Sequence, residues 1–389
     1  MKPSKILIVD DEPFNLDYLE QELEGSDYEI FKATNGQEAL EQVKLTEPDL
    51  VLLDIMMPVM DGFSVLSKLK ADTSTRDIPV VIISANNDLR NVVKGIQMGA
   101  EDYLPKPFEP TILHARVSSS LEKKNLHDLQ TLYLKSLERE FEIAREIQLS
   151  FLPTQLPTLA GWEIAAYFKA AREVAGDFYD AFMLPKDQLV FTVGDVCGKG
   201  IGAALFMTLY RSLIRAAAIS KYIMPGLGEL ADFAANRLKQ IVSCANNYVM
   251  ETHEDAKFTT LFIGLVDLKT GKLSYVNCGN ELPLLRRKDG IVTELPSISP
   301  AIGIFKDVDF TVGEILIEEG DLLLAYTDGI TDTMNINNVT FGKQRLLELV
   351  REYPGSCPEL LSLLVTQASQ FAGDIEQFDD ITLMAVKRI

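Results

Sequence analysis

Four aspartates, each inside its own short motif, carry the chemistry this sequence offers: Asp177 in AGDFYD, Asp195 in GDVCGKG, Asp328 in AYTDGITD and Asp379 in FDDITLM. Carboxylates drawn from distant segments are the donor set of a hard divalent cation, because Mg²⁺ and Mn²⁺ favour oxygen ligands. A pair of such ions bridged by carboxylates can clamp a phosphoryl group and make hydroxide from bound water at neutral pH. One Asp-Gly pair alone reads as an ordinary solvated turn. The set of motifs together is much harder to dismiss in that way.

The elements that must position these side chains are legible nearby. Residues 190–193 and Leu322–Tyr326 are apolar runs of strand length, each followed by an aspartate in a Gly-containing turn. Asp195 and Asp328 are therefore expected at strand ends. A third run, 381–386, begins just after Asp379 and Asp380. Strands lying side by side in one sheet would gather the carboxylates at one edge.

A second, independent constellation lies in the first 120 residues. The runs KILIVD, DLVLLD, IPVVIIS and EDYLP alternate with helix-like segments, the pattern of a doubly wound parallel α/β sheet. Ligands of such sheets bind at the carboxyl ends of the strands, where this chain places Asp10, Asp11, Asp54, Ser84 and Lys106. Acids, a hydroxyl and a lysine in one crevice would hold Mg²⁺ and stabilise a phosphoryl group passed to one of the acids. Glu12 reads as a surface or metal-tuning acid.

The motifs of the second half, in their order, resemble the metal-dependent type-2C (PPM) protein phosphatases, in particular the bacterial SpoIIE/RsbU-like branch. The resemblance covers about residues 145–389 and rests on EIAREIQLSFLP, REVAGDFYD, GDVCGKGIGAALFM, FTTLFIGLVDLKTGKLSYVNCGN and the two later Asp motifs. It implies an α/β sandwich with two or more Mn²⁺ or Mg²⁺ ions. Asp177 and Asp195 would ligate the central metal pair, with the Val196 backbone carbonyl as a further ligand. Asp328 and Asp379 would supply the remaining carboxylates on one metal. Arg172, five residues before Asp177, stands where some members bind phosphate, with a surface salt bridge as its alternative. Two positions depart from the pattern: Ala175 replaces the usual Gly of GGDFYD, and Asn280 stands where relatives commonly have His. The first matters only if the backbone there needs positive φ.

Residues 1 to about 120 closely resemble a CheY-like response-regulator receiver domain. By that resemblance Asp54 is the phosphoacceptor of a sensor histidine kinase, Asp11 with Asp10 holds Mg²⁺, and the Met56 carbonyl completes the metal site. Ser84 and Tyr103 would be the switch pair, with Tyr103 expected to be exposed. Lys106, before a Pro107 expected to be cis, would contact the phosphate.

Residues 121–152 form a connector of different texture, helix-forming and without Gly or Pro. Its apolar residues Leu126, Leu129, Tyr133, Leu137, Phe141 and Ala144 follow steps of three, four, four, four and three, a heptad pattern with a stutter. It reads either as one amphipathic helix lying on its own domain or as a parallel coiled coil of a homodimer, able to toggle between two packings. Ser118 to Ser120 would mark a flexible joint ahead of it. The expected domains are thus a receiver at 1–120, a helical coiled-coil linker at 121–152 and a PPM-type phosphatase at 153–389.

Composition excludes several other classes. A net charge of −20 speaks against nucleic acid, whose backbone is bound by clustered Lys and Arg. No apolar stretch is expected to reach membrane-spanning length and MKPSKILIVDDE reads straight into a strand without a signal peptide, so a cytoplasmic protein is expected. Cys197, Cys244, Cys278 and Cys357 contain no CxxC pair, and the three histidines have no ligand-like spacing, which argues against zinc or disulfides. The chain therefore reads as a response regulator in which phosphorylation of Asp54 controls a protein serine/threonine phosphatase. By resemblance, the substrate would be a phosphorylated STAS-domain anti-sigma-factor antagonist in partner switching. The leading alternative is a phosphatase-like adaptor without activity. A diguanylate cyclase would not require GDVCGKG, TDGI and DDIT, and a DNA-binding regulator lacks its helix-turn-helix. The segment 221–257 could be a flap or simply a helix and loop.

Overall fold

A computed structural model describes residues 3–25, 27–85, 89–223, 233–253, 257–296 and 299–389, and the chain divides into two compact units, Met1–Glu138 and Arg139–Ile389. The first unit alternates β1 (Ser4–Val9), α1 (Pro13–Leu23), β2 (Tyr28–Ala33), α2 (Gly36–Thr46), β3 (Leu50–Asp54), α3 (Gly62–Ala71), β4 (Val80–Ala85), α4 (Leu89–Gln97) and β5 (Asp102–Lys106) before the long α5 (Pro110–Phe151). The strands pair in parallel in the order β2-β1-β3-β4-β5. Leu50 to Leu53 are wholly buried because both sheet faces are covered. Val51 and Leu53 pack with Val43 and Leu66 on one face, and Leu50 and Leu52 pack with Leu19 and Val117 on the other. This is the doubly wound sheet expected. β2 was not among the expected strands: it is an edge strand, with only Ala33 buried, so its sequence carries no continuous apolar run.

Helix α5 corrects one expectation. Ser118 to Ser120 do not interrupt it; they lie inside the helix, and Ser120 is buried. Residues Leu113, Val117 and Leu121 of the same helix belong to the core of the first unit, and that packing outweighs the modest helix propensity of serine.

The second unit is a four-layer sandwich. Its elements are β6 (Trp162–Lys169), β7 (Asp177–Leu184), β8 (Gln188–Val196), α6 (Ile201–Ile223), α7 (Phe233–Thr252), β9 (Thr259–Asp267), β10 (Lys272–Cys278), β11 (Leu284–Arg286), β12 (Val292–Glu294), β13 (Gly313–Leu316), β14 (Leu322–Tyr326), α8 (Gly342–Glu352), α9 (Cys357–Ala372) and β15 (Ile381–Arg388). Two antiparallel sheets form, ordered β13-β10-β9-β8-β7 and β12-β11-β14-β15-β6. Their inner faces share a core that includes Phe191, Phe262, Leu323 and Met384. The outer face of the first sheet packs on α6 and α7 through Met207, Ile214 and Val242, and that of the second on α8 and α9 through Leu346 and Leu364. Alternation of apolar side chains along each strand serves two cores at once, which is why the strands read as nearly continuous apolar runs.

Three further expectations are corrected. Asp195 does not follow its strand; β8 runs on to Val196, with Asp195 paired to Thr260. The carboxylates do not gather on one sheet, since β7 and β8 belong to one and β14 and β15 to the other. Residues Ile201–Ile219 of α6 do reach membrane-spanning length, with a mean hydropathy of 1.2, by length and composition only. Ala203, Met207, Tyr210, Ile214 and Ala218 on that helix recur at helical spacing and sit in the core. Within 221–257, residues 221–223 end α6 and Phe233–Thr252 form α7, while 224–232 and 254–256 lie outside the described residues.

Candidate functional site

In the second unit Asp177 opens β7 directly opposite Asp195 on β8, and residues so paired project to the same face. Asp177 is 2% exposed. Its Oδ2 accepts hydrogen bonds from Thr327 Oγ1 at 2.7 Å and Thr382 Oγ1 at 2.6 Å, both from the opposite sheet. The Thr382 amide donates in turn to Thr327 Oγ1 at 3.0 Å. These buried threonines stitch the two sheets together at the carboxylates, and sequence reasoning missed them. Their signal was adjacency: Thr327 immediately precedes Asp328, and Thr382 follows Asp380 by two.

Asp328 lies in a 3₁₀ turn, Asp328–Ile330, after β14. A Cβ on Gly329 would come within 1.9 Å of the Asp380 carbonyl oxygen, so only glycine lets this turn approach the 379–380 loop. The two neighbouring acids of that loop divide their work. Asp380 accepts from the amides of Ala171 at 2.8 Å and Gly176 at 2.7 Å, tying down the turn ahead of Asp177. Asp379 instead pairs with Lys199 Nζ at 3.0 Å. The same ammonium donates to the Phe378 carbonyl and lies 3.8 Å from the Phe378 ring centre. Lys199, in the GKG of the Asp195 motif, is a third residue the sequence reasoning passed over.

The remaining positions fall around this cluster. Thr259 Oγ1 donates to the Asp195 carbonyl at 2.7 Å. Val196 closes β8 beside Gly176, where an added Cβ would meet the Val196 carbonyl at 2.8 Å. Asn280, 5% exposed, donates to the Tyr326 carbonyl at 3.1 Å, two residues before Asp328, and accepts from Thr260 Oγ1 at 3.3 Å. Ala175 is buried without positive φ, so losing the usual glycine costs the backbone nothing there. Arg172 is exposed in the turn before β7.

Burial chiefly, then the charges of Asp195 and Asp380, hold the Asp177 carboxyl well above the ordinary range, against the threonine hydrogen bonds. Burial and the charges of Asp328 and Asp379 push Asp195 up to about 6. Burial, with Asp379, Asp332 and Glu281, pushes Asp328 up to about 6 as well, while Lys199 opposes. Negative charge is crowded here beyond what Lys199 balances. The donors are all oxygen, which fits a hard divalent cation. Among the described residues no three carboxylates of this unit lie within 4.8 Å of one another, a looser grouping than in the first unit.

There, carboxylate oxygens of Asp10, Asp11 and Asp54 do lie within 4.8 Å of one another. Lys106 Nζ bridges Asp10 Oδ2 at 2.8 Å and Asp54 Oδ2 at 3.0 Å. Burial raises the Asp54 carboxyl, Lys106 opposes and Asp10 adds to it. Burial would lower the Lys106 ammonium, but the two aspartates outweigh it and the net shift is upward. The strand ends of β1, β3 and β5 thus converge as expected. A Cβ on Gly62 would meet the Asp54 carbonyl oxygen at 2.2 Å, so the loop after β3 also closes through a glycine.

Lys106–Pro107 is cis. Ser84 is buried on β4, whereas Tyr103 on β5 is half-buried rather than exposed, because it packs on the core and lies 5.8 Å beneath the Arg116 guanidinium. The Met56 side chain is exposed. Glu12 caps no amide at the start of α1; it accepts from Asn15 Nδ2 at 3.2 Å.

Comparison with known proteins finds a family for each unit. The family model of stage II sporulation protein E (SpoIIE) matches residues 185–389, more than half of the chain, and that of the response regulator receiver domain matches 6–118. Protein IcfG of Synechocystis sp. is 40% identical over 264 residues, covering 64% of this chain and 41% of IcfG. Response regulator PleD of Caulobacter vibrioides is 45% identical over 116 residues, 30% of this chain and 26% of PleD. The chain therefore spans less than half the length of either relative. Among solved structures, the SiaA-PP2C domain of Pseudomonas aeruginosa superposes with a TM-score of 0.56 at 23% identity, covering 66% of this chain and 98% of that domain. At that identity the likeness speaks for the fold of the second unit.

Proposed function

We propose that this chain, which belongs to the SpoIIE family and carries a response regulator receiver domain ahead of that region, is a protein serine/threonine phosphatase controlled by phosphorylation of Asp54. One observation carries the reading: Asp177, Asp195, Asp328 and Asp379 converge from two sheets, and two of them are pushed up to about 6 by burial and mutual repulsion. Asp177, Asp195, Asp328, Asp379 and the Val196 carbonyl would hold two or more Mn²⁺ or Mg²⁺ ions, and Asp10, Asp11, Asp54 and the Met56 carbonyl one Mg²⁺. Bound in the second unit, such ions would clamp a phosphoryl group and acidify water. The chain's own part is to hold the acids: Thr327 and Thr382 orient Asp177, Asp380 anchors the turn before it, and Asn280 fixes the strand end before Asp328. Arg172 would reach the substrate phosphate.

The domain limits in this reading are 1–120, 121–152 and 153–389. Lys106 would contact the phosphate on Asp54, with Ser84 and Tyr103 reporting the change. The phosphodonor is a sensor histidine kinase, and the substrate a phosphorylated STAS-type anti-sigma-factor antagonist in the cytoplasm. An inactive adaptor would be expected to have lost metal carboxylates, and all four are present. The test is hydrolysis of a phosphoserine protein by the full chain with Mn²⁺, with and without chelator, before and after acetyl phosphate. Turnover that needs metal and changes with the donor is expected; no turnover together with no metal binding would leave the adaptor.

A homodimer through α5 belongs to the same proposal. Leu126, Leu129 and Tyr133 are more than 60% exposed, which suits a seam that a second copy covers. Leu129→Lys with Tyr133→Lys is expected to convert the full chain from dimer to monomer in light scattering. A wild-type monomer at micromolar concentration would end the coiled-coil reading.

The raised carboxyls also set a pH dependence. A carboxyl with its folded pKa above the unfolded value binds protons more tightly when folded, so its stabilising contribution is present at low pH and fades as pH rises through about 6. The metal-free protein is expected to melt lower at pH 7.5 than at pH 5.5, and Mn²⁺ to reverse the order. Thermal scans at the two pH values with chelator and with Mn²⁺ decide it; an unchanged order would mean the cluster is not cation-seeking.

A further inference from the structure

At the end of the first unit's sheet opposite Asp54, a cavity of about 320 Å³ opens between α3, the loop before β4 and one face of α5. Pro79 and Glu101, which line it, stand just before β4 and β5, at the amino ends of the strands. Ligands of doubly wound sheets occupy the carboxyl ends, so this cavity is separate from the crevice of Asp10, Asp11 and Asp54. Its α5 wall is Ser120, Lys123, Lys124 and His127, a polar stripe at the spacing i, i+3, i+4, i+7. The stripe takes over where the apolar one of Leu113, Val117 and Leu121 ends.

Two groups facing this cavity lack partners. Ser120 is 2% exposed, and its hydroxyl makes no hydrogen bond among the described residues. A buried hydroxyl left in that state costs stability. The Lys70 ammonium donates to the Arg76 and Ile78 carbonyls, each at 2.8 Å, which leaves its third proton unused. No carboxylate of the described residues forms an ion pair with it, and burial lowers it below its ordinary value, against the charges of Asp77 and Glu101. The other bases have acids: Lys123 has Glu101, Lys124 has Asp128 and Arg76 has Asp77. An anion is what satisfies the ammonium and the hydroxyl together. Asp77 and Glu101 repel a bare anion, so the ligand must also carry donors. A phosphate ester of a polyhydroxy compound does both, since its phosphoryl oxygens accept and its hydroxyls donate. The volume falls at the lower end of small-molecule sites, which hold roughly 300–1,000 Å³.

We propose that this cavity binds a small phosphate ester bearing hydroxyl groups, with the phosphoryl group held by Lys70 and Ser120 and the hydroxyls by Asp77 and Glu101. The ligand touches α5 and the β4–β5 end of the sheet at once, so its binding fastens that stretch of α5 to the first unit. This site stands apart from the phosphatase reading and uses no acid of either metal cluster.

The test is calorimetry on the full chain in chelator, with AMP, glycerol phosphate and inorganic phosphate as probes. Chelator keeps divalent cations, and with them these anions, out of the clusters around Asp54 and Asp195. One ester per chain is expected to bind at submillimolar concentration, and inorganic phosphate more weakly. Ser120→Ala, which an α-helix accepts without loss, is expected to weaken binding about tenfold, the worth of one hydrogen bond to a charged group. Lys70→Met is expected to abolish it. Should Lys70→Met fail to fold, Lys123→Glu on the exposed rim carries the charge arm of the test, with a loss of about tenfold expected there too. Asp54→Ala and Asp195→Asn are expected to bind the probes as the wild type does. Inorganic phosphate binding as tightly as the esters overturns the ester and gives the site to free phosphate. No heat with any probe, wild-type affinity in Ser120→Ala and Lys123→Glu, or loss of binding in Asp54→Ala or Asp195→Asn overturns the site itself.

Discussion

Asp195→Asn is expected to reduce phosphoprotein hydrolysis by about a thousandfold or more, a loss of ~4 kcal/mol of transition-state stabilisation, while the protein remains folded. Asp195 faces Asp177 across the β7–β8 pair and feels the charges of Asp328 and Asp379, so it is electrostatically linked to every other acid of the cluster. Neutralising it weakens any cation held there at the centre of the donor set. The fold survives for a reason visible in the same numbers. Asp195 is pushed up to about 6 by burial and by like charges, so without metal the ionised carboxylate is a liability. The variant should therefore melt higher than the wild type in chelator at pH 7.5, by about 2–4 °C. Loss of activity with a gain in metal-free stability is the signature of a ligand; unchanged turnover would sink the assignment, and collapse of the fold would make Asp195 structural. Initial rates with Mn²⁺ and melts in chelator give both readings.

Asp54→Ala is expected to abolish the response to acetyl phosphate while leaving basal hydrolysis within about twofold, since Asp54 belongs to the first unit and every acid of the catalytic cluster to the second. Asp54 is 5% exposed at the end of β3, hydrogen-bonded through Oδ1 to the Ile55 amide at 2.8 Å and through Oδ2 to Lys106. Its removal does not strand the lysine, which keeps Asp10 at 2.8 Å. A buried ion pair broken to leave a lone charge costs about 3–5 kcal/mol, and the surviving Asp10 contact spares the first unit most of that. Rates with and without donor decide the matter. A donor effect of wild-type size in this variant would place the phosphoacceptor elsewhere.

Much of this was legible along the chain. The parallel sheet of the first unit announces itself because strands buried on both faces must be apolar throughout, as Leu50 to Leu53 are, and because its acids and Lys106 stand at the ends of such runs. Edge strand β2 escaped because one side of an edge strand needs no apolar partner. In the second unit the aspartate motifs could be found individually, since each sits beside a strand or a tight glycine turn.

What the sequence by itself determined, then, was composition at strand ends: which acids exist, on which runs they sit and which glycines allow close turns. Only the tertiary structure decided that the acids come from two facing sheets, that Asp195 lies within β8 rather than after it, and that Asp379 and Asp380 have different partners. The same holds for Thr327 and Thr382 on Asp177. Local pattern reports burial period and turn chemistry, which depend on neighbours in sequence. A hydrogen bond between residues 150 or 205 positions apart depends on how two sheets are stacked, and no short-range pattern encodes that.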